Sequence, residues 1–322
     1  MKTINWGIIG LGKIANSFAT DLMTVEGSTL YGVASRSQEK ANEFGEKYGA
    51  VKKYDSYKDL AQDPAIDVIY IATPHVKHYE DTMMCLSHGK AVLCEKPFAM
   101  NSEQVDKMIA LAKEKGCLLM EALWTRIMPH FNFVLDEIES GKYGAVKTVT
   151  ADFCFEAPFD PQGRLFNKDL GGGSLLDVGI YPVFCALAIL GKPENITAKA
   201  KIGKTSVDEE TEITFTYKNG SKAHITSSIT RKTPSTATII LDKGLINIES
   251  RFHETDKVTT VLDGVKLYHD FAYSAKGYNY EAAHVADLIR AGKTESPMMS
   301  HDFSRLIINT LDEVRKLINL HY

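Results

Sequence analysis

The chain has 322 residues, 44% of them hydrophobic and 24% charged, and carries a net charge of -4 at neutral pH. These are ordinary proportions for a soluble globular protein, and the length calls for two medium domains rather than one core. Lysines and arginines are scattered, so the chain offers no basic field to nucleic acid or to anionic lipid.

The first element is a run of strand formers, Ile4 to Ile9, that ends in Gly10-x-Gly12-x-x-Ala15 and passes at once into helical apolar spacing through Ile14, Phe18 and Leu22. Strand, tight turn and helix in that order form a dinucleotide-binding signature. Gly10 and Gly12 let the backbone approach a pyrophosphate, and the amides around Lys13 and Ile14 would receive it at the helix start. The simpler alternative is a glycine turn with no ligand. The second strand, Ser28 to Ala34, ends in Ser35-Arg36-Ser37, with Lys40 close behind. A carboxylate at this place would hold an NAD ribose and repel a 2'-phosphate, whereas two hydroxyls and a guanidinium favour NADP. Use of NAD as well stays open as the alternative.

A short strand near Val51 to Tyr54 and a helix from Tyr57 to Gln62 lead to the continuous apolar strand Ile66 to Ile71. Continuity marks a central parallel strand covered on both faces. Its end, Thr73-Pro74-His75-Val76-Lys77-His78, faces the cofactor by the rule that ligands bind beyond the carboxyl ends of parallel strands. His78 is either a nicotinamide-side residue or a helix cap. The strand Ala91 to Cys94 then delivers Glu95, Lys96 and Pro97, a lysine stiffened by the following proline at a strand mouth. A helix from Ser102 to Lys115, capped by Asn101 or Ser102, and a sixth strand, Leu118 to Leu123, complete a doubly wound Rossmann domain over residues 1–123.

From residue 124 the pattern changes to alternating strands: Val146 to Phe155, Ile196 to Ile202, Glu210 to Tyr217, Lys222 to Ser228, Thr236 to Leu241, Gly244 to Ser250 and Lys257 to Leu262. Alternation with tight turns predicts a large, mostly antiparallel sheet in an α+β domain over 124–322. Asn219-Gly220 carries a type I' hairpin signal. Helices are expected over Phe131 to Ser140, Tyr280 to Ala291 and Asp302 to Leu320. In Gly171-Gly172-Gly173-Ser174-Leu175-Leu176-Asp177-Val178-Gly179-Ile180-Tyr181, glycines open a helix on which Asp177 and Tyr181 are spaced i, i+4 and share a face. An apolar helix with a snorkelling tyrosine is the bland reading of the same stretch.

The five cysteines, Cys85, Cys94, Cys117, Cys154 and Cys185, are widely spaced in apolar stretches without a CxxC pair, as expected of buried free thiols rather than disulfides or a zinc site. Neither a signal peptide nor an apolar run near the length of a membrane span is apparent, so a cytoplasmic protein away from membranes is expected.

Together, GLGKIA, ATPHVKH, CEKPFA and DVGIYP resemble the Gfo/Idh/MocA oxidoreductase family, along nearly the whole chain. EALWTR at Glu121 to Arg126 and GGGSLLDVGIYP resemble its branch of dimeric dihydrodiol dehydrogenase and NADP-dependent D-xylose dehydrogenase. The resemblance implies a catalytic lysine at Lys96 and a second acid-base residue at Tyr181, where many members carry histidine; that departure disfavours myo-inositol as substrate. It also implies a homodimer or higher oligomer through the open sheet face.

The expected chemistry is reversible hydride transfer between NADP and a sugar, polyol or cyclic diol or carbonyl carbon. A phenol with an ordinary pKa near 10 is a poor base unless a cation stabilises the phenolate. Tyr181 is therefore the acid-base residue, Lys96 its partner or the direct proton donor, and Asp177 the substrate orienter. Trp124, Arg126, Phe153, Phe159 and Arg164 are the candidate pocket wall, suited to a small carbohydrate or diol. No metal is implied. Two rivals are a reductase of anhydrofructose or another dicarbonyl sugar, and a redox sensor that binds NADP without turnover.

Overall fold

The computed structural model describes residues 2–322. It resolves into two compact units: the first runs to Ile127 and takes back Ser274–Arg305, and the second holds Met128–Tyr273 and Leu306–Tyr322.

In the first unit, β1 (Ile4–Ile9), β2 (Ser28–Ala34), β3 (Lys52–Tyr54), β4 (Val68–Ile71), β5 (Ala91–Glu95) and β6 (Leu119–Ala122) form one sheet in the order β3-β2-β1-β4-β5-β6. All its pairings are parallel. Every residue of β4, β5 and β6 is buried, which is why these strands read as unbroken apolar runs. The helices are α1 (Lys13–Leu22), α2 (Gln38–Tyr48), α3 (Tyr57–Gln62), α4 (His78–Ser87) and α5 (Ser102–Lys115). Side chains of Ser37, Ser56 and Asn101 cap α2, α3 and α5 by accepting from the amides of Lys40, Asp59 and Gln104. The strand order reverses between β1 and β4, and that switch point is where an α/β sheet opens a crevice.

A contiguous boundary at residue 123 is not what the structure shows. Helix α8 (Tyr278–Arg290) belongs to the first unit because it packs on α1. Asp21 of α1 accepts from the amides of Gly277 and Tyr278 at 2.9 and 3.0 Å, capping α8 from outside its own sequence. Arg290 at its other end donates to the carbonyls of Lys2 and Gly27.

The second unit carries β7 (Val146–Cys154), β8 (Asn195–Ile202), β9 (Asp208–Thr216), β10 (Lys222–Ser228), β11 (Ala237–Leu241), β12 (Gly244–Ile248), β13 (Lys257–Leu262) and β14 (Val265–Asp270). Their order is β14-β13-β12-β11-β7-β10-β9-β8, antiparallel except where β7 meets β10. Helices α6 (Pro129–Glu139) and α7 (Ile180–Leu190) belong to the same unit, with α7 packed on β7 and β10. Strand β14 escaped the sequence reading because nearly all of its residues are exposed, so it lacks the alternation of a half-buried strand.

Two further expectations change. Asn219-Gly220 does not form a type I' turn: Gly220 has φ +84° but Asn219 keeps negative φ, and the loop closes through the Gly220 amide on the Tyr217 carbonyl at 2.9 Å. The two-residue turn with both φ positive is Asp263-Gly264, at +48° and +83°, between β13 and β14. The stretch 168–190 is in fact long and apolar enough to pass for a membrane span, but 83% of its most apolar window is buried inside the protein, as a core helix is. All five cysteines are buried and free.

Candidate active site

At the end of β1 the chain turns through Gly10, whose φ is +82° and whose Cα lies so close to the next strand that a Cβ would stand 2.5 Å from the Ala72 and Thr73 backbone. Only glycine fits there. Gly12 is different, because a Cβ on it would meet nothing within 4 Å. It is the N-cap of α1, where no side chain among the described residues caps the helix and no acid occupies the first turn. The free amides of α1 therefore open onto clear space at the switch point, an arrangement that fits the pyrophosphate of a dinucleotide. Lys13 is exposed and Ile14 half-buried beside it.

At the end of β2 the Ser35 hydroxyl accepts from the Ser37 amide at 3.3 Å, and Arg36 is exposed. Tyr57, which sequence reading passed over, lies half-buried with its hydroxyl against the Gly10 backbone and within reach of the Arg36 charge; burial raises its pKa. Tyr57 escaped notice because it joins this group only when β3 and α3 fold beside β2. Thr73 donates to Asp81 at 2.7 Å, and exposed Pro74 opens a 3-10 turn over His75–Lys77.

The Lys96 segment is held from both sides. The Lys96–Pro97 peptide is cis. Pro97 O lies 2.7 Å from His78 Nδ1, while the other ring nitrogen lies 2.8 Å from Thr73 O. His78 is fully buried and ties the β4 loop to the β5 loop, so it braces the site rather than reaching a nicotinamide, and burial lowers its pKa. The Phe98 amide donates to Glu121 Oε1 at 3.1 Å; burial pushes the Glu121 carboxyl up to about 7. Glu95 turns inward, accepting from the Tyr70 hydroxyl and from the Lys96 amide. Lys96 itself is half-buried. Trp124 stacks on Tyr278 of α8 at 4.3 Å between ring centres and 6° between planes. Tyr278 had no sequence signal, since only the return of α8 brings it to β6. Arg126 is half-buried in the same unit and its charge reaches His284.

In the second unit the glycine turn before α7 is closed from within. Asp208 accepts from the Ser174 hydroxyl, the Leu175 amide and the Thr211 hydroxyl at 2.7, 2.7 and 2.9 Å. Burial nevertheless pushes its pKa up to about 6. Gly173, at φ +118°, lies directly against this carboxylate, and the Tyr322 hydroxyl donates to Gly172 O. Leu175–Gly179 then makes a π-turn before α7 begins at Ile180. The α-helical i, i+4 relation expected of Asp177 and Tyr181 is thus replaced by a wider turn, of the kind often found at functional sites.

Asp177 is paired with Arg164, at 2.6 and 3.3 Å through two nitrogens. Two residues expected to act separately on a substrate thus form one fork-to-carboxylate pair. Tyr181, 7% exposed, tilts against Phe153 with centroids 5.5 Å apart. His253 completes this aromatic group, 4.1 Å from Phe153 in a near-parallel stack and 5.1 Å from Tyr181. Sequence reading missed His253 because it lies in an irregular turn between β12 and β13 with no motif around it. Phe159 does not join the group; it is 55% exposed and packs edge-on against Phe166. Among the described residues, no group of three or more His, Cys, Asp or Glu is placed to hold a metal ion.

Two family models match the chain. One, described as oxidoreductase family, NAD-binding Rossmann fold, covers residues 4–123, and the other, the GFO/IDH/MocA C-terminal domain, covers 131–247. The trans-1,2-dihydrobenzene-1,2-diol dehydrogenase of Mus musculus is 36% identical over 99% of this chain and 98% of its own length. The Homo sapiens protein of the same name is 34% identical with the same coverage. Among solved structures, an aldose-aldose oxidoreductase from Caulobacter crescentus complexed with glycerol superposes with a TM-score of 0.90 at 23% identity, covering 99% of this chain and 98% of that one. A 3-ketoreductase from Actinomadura kijaniata, solved with NADP and TDP-benzene, gives 0.89 at 24% over 98% of both chains. At those identities the structures share the fold.

Proposed function

The chain belongs to the GFO/IDH/MocA oxidoreductase family, and from that premise we propose that it moves a hydride reversibly between NADP and a carbinol or carbonyl carbon of a small sugar, polyol or cyclic diol. The observation that carries this reading is the uncapped start of α1, open at Gly12 beside the sheet's switch point. The relatives named as dihydrodiol dehydrogenases support the substrate class. NADP is preferred over NAD because Ser35, Arg36 and Ser37 put hydroxyls and a guanidinium where a 2'-phosphate would lie.

The bound nicotinamide supplies the hydride acceptor or donor. What remains for the protein is to orient the substrate and handle one proton. Tyr181 is the proposed acid-base residue and Lys96 the second proton-handling group. Glu95, His78 and Glu121 fix the backbone on either side of Lys96. Asp177, held by Arg164, presents a fixed carboxylate on the turn that precedes Tyr181. Phe153 offers an apolar face for the substrate ring.

The test is a panel of aldoses, polyols, dicarbonyl sugars and trans-dihydrobenzenediol assayed with NADP and NAD. Turnover on at least one member is expected, faster with NADP. Lys96→Met and Tyr181→Phe should each lower kcat by about 100-fold or more, the scale of general acid-base catalysis. Binding of NADP with no turnover on any substrate would leave the redox-sensor reading instead.

We also propose that the protein acts in the cytoplasm as a homodimer through the open face of the eight-stranded sheet. Ile240, 47% exposed, pairs with Leu245, which pairs with Val261, so three apolar side chains cross that face in one row. Sedimentation velocity should give twice the monomer mass; a monomer at micromolar concentration refutes the dimer.

A further inference from the structure

Two lysines stand at the wrong end of α1 for a helix left to itself. A helix start carries partial positive charge, so a cation there gains nothing from the helix and mildly destabilises it. Lys13 occupies the first position of α1, and the first turn holds no acid to offset it. Lys276, in the segment just before α8, brings a second ammonium to the same helix: its Nζ donates to the Ser17 hydroxyl at 3.3 Å. Ser17 follows Lys13 by four positions, so the two share a face of α1.

Neither charge is answered by a carboxylate. Among the described residues Lys13 and Lys276 form no ion pair, and the bond to Ser17, long and to a neutral group, is the only hydrogen bond that Lys276 makes. Lys47 shows the contrast. Its ammonium donates to Asn16 Oδ1 at 2.8 Å and lies 4.9 Å from the centre of the Tyr48 ring, tying α2 to α1. Lys47 thus has a structural task, whereas Lys276 is exposed and keeps donors that Ser17 does not use.

The backbone that carries Lys276 is nevertheless fixed. Gly277, the next residue, has φ +121°, and its amide and that of Tyr278 donate to Asp21 of α1 at 2.9 and 3.0 Å. Helix α8 then packs on α1. The main chain at Lys276 is therefore anchored to α1, while its ammonium, on a flexible four-carbon stem, can move along the Lys13 face toward the helix start. There the free amides beside Gly12 already favour a pyrophosphate. A charge-assisted bond to a phosphate oxygen is roughly twice as strong as one between neutral groups, so exchanging Ser17 for phosphate is favourable.

We propose that Lys276 is a cofactor-binding residue: it leaves Ser17 and, with Lys13, clamps the pyrophosphate of NADP at the start of α1. Its role rests on the reading of NADP as the cofactor and adds to that site a group 259 positions from Ser17 in sequence. The pyrophosphate is common to NADP and NAD, whereas the 2'-phosphate assigned above to Ser35, Arg36 and Ser37 is not. Lys276 therefore sets affinity for either dinucleotide, and Arg36 the choice between them.

The experiment measures Kd for NADPH and for NADH by fluorescence titration at low and high salt, in the wild type, Lys276→Met, Lys276→Arg and Arg36→Met. Lys276→Met should weaken both dinucleotides by the same factor, about tenfold at low salt, the loss of one charge-assisted bond to phosphate, and should flatten the salt dependence. Lys276→Arg keeps the charge and should retain most of the affinity. Arg36→Met should weaken NADPH and leave NADH unchanged. Melting temperatures without cofactor should match that of the wild type, because Lys276 is exposed. If Lys276→Met destabilises the chain, Lys276→Gln takes its place under the same criteria. An unchanged Kd for both dinucleotides, or a loss confined to NADPH, overturns the clamp. A wild type that binds neither dinucleotide overturns the cofactor reading itself, a result distinct from a wild type that binds them and is indifferent to the loss of Lys276.

Discussion

Two glycine turns in this molecule look alike in sequence and have opposite physical states. Gly10-x-Gly12 leads into α1, and Gly171-Gly172-Gly173 leads into the π-turn and α7. Both leave amides at a helix start that need an acceptor. At the second turn the fold provides one, the Asp208 carboxylate, which takes the Ser174 hydroxyl and the Leu175 amide and presses on Gly173. At the first turn no side chain among the described residues caps the helix, and the space beside Gly12 is open. One glycine turn is the proposed receptor for an outside anion, and the other is closed by the chain itself.

The largest effect expected from breaking this contrast comes from giving α1 its own carboxylate. Gly12 has φ -92°, which any residue adopts, and room for a side chain. Gly12→Asp should stabilise the free protein by only a few tenths of a kcal/mol as an N-cap, since glycine already suits that position. The same carboxylate would occupy the place of the pyrophosphate and repel it, so NADPH affinity should fall by about 100-fold or more. Thermal melting and fluorescence titration read the two effects. Retained NADPH affinity would mean that the cofactor's phosphates do not use this turn.

A smaller effect is expected at the closed turn. Asp208 has its pKa raised from 3.8 to about 6, so its contribution to stability is whole below pH 4 and is lost as the pH rises through 6. Asp208→Asn removes this dependence. The stability of the wild type relative to the variant should therefore fall by roughly 2 kcal/mol between pH 4.5 and pH 7.5, at 1.36 kcal/mol per unit. Urea unfolding at the two pH values checks it. The variant should keep NADPH binding, because the turn lies in the second unit, and should lose turnover to the extent that the turn positions Tyr181. A constant difference across that pH range would show that Asp208 does not titrate as a buried carboxyl.

The legible parts of the fold were those whose signal is local. Unbroken apolar strands such as β4 and β5 announce burial on both faces, and the caps Ser37, Ser56 and Asn101 stand in the residues just before their helices. What stayed hidden depends on distant partners. Strand β14 is nearly all exposed and exists through its pairing with β13. Helix α8 joins the first unit because Asp21 caps it from more than 250 residues away. Among the candidate residues, Lys96, Asp177 and Tyr181 stand in motifs that the sequence shows, whereas Tyr278, Tyr57 and His253 do not. His78 illustrates the converse: its place after β4 suggested a cofactor contact, but two backbone carbonyls from separate loops claim its ring.

By itself, the sequence determined a dinucleotide-binding half, an α+β half, and the two glycine turns that start their key helices, because glycine spacing and apolar periodicity act over a few residues. Only the tertiary structure decided which turn stays open. That choice depends on whether a carboxylate arrives from elsewhere in the chain, as Asp208 does for Leu175 and as none among the described residues does for the start of α1. The same holds for the imidazole laid against Tyr181: no spacing rule links positions 181 and 253, and only folding brings them within 5.1 Å.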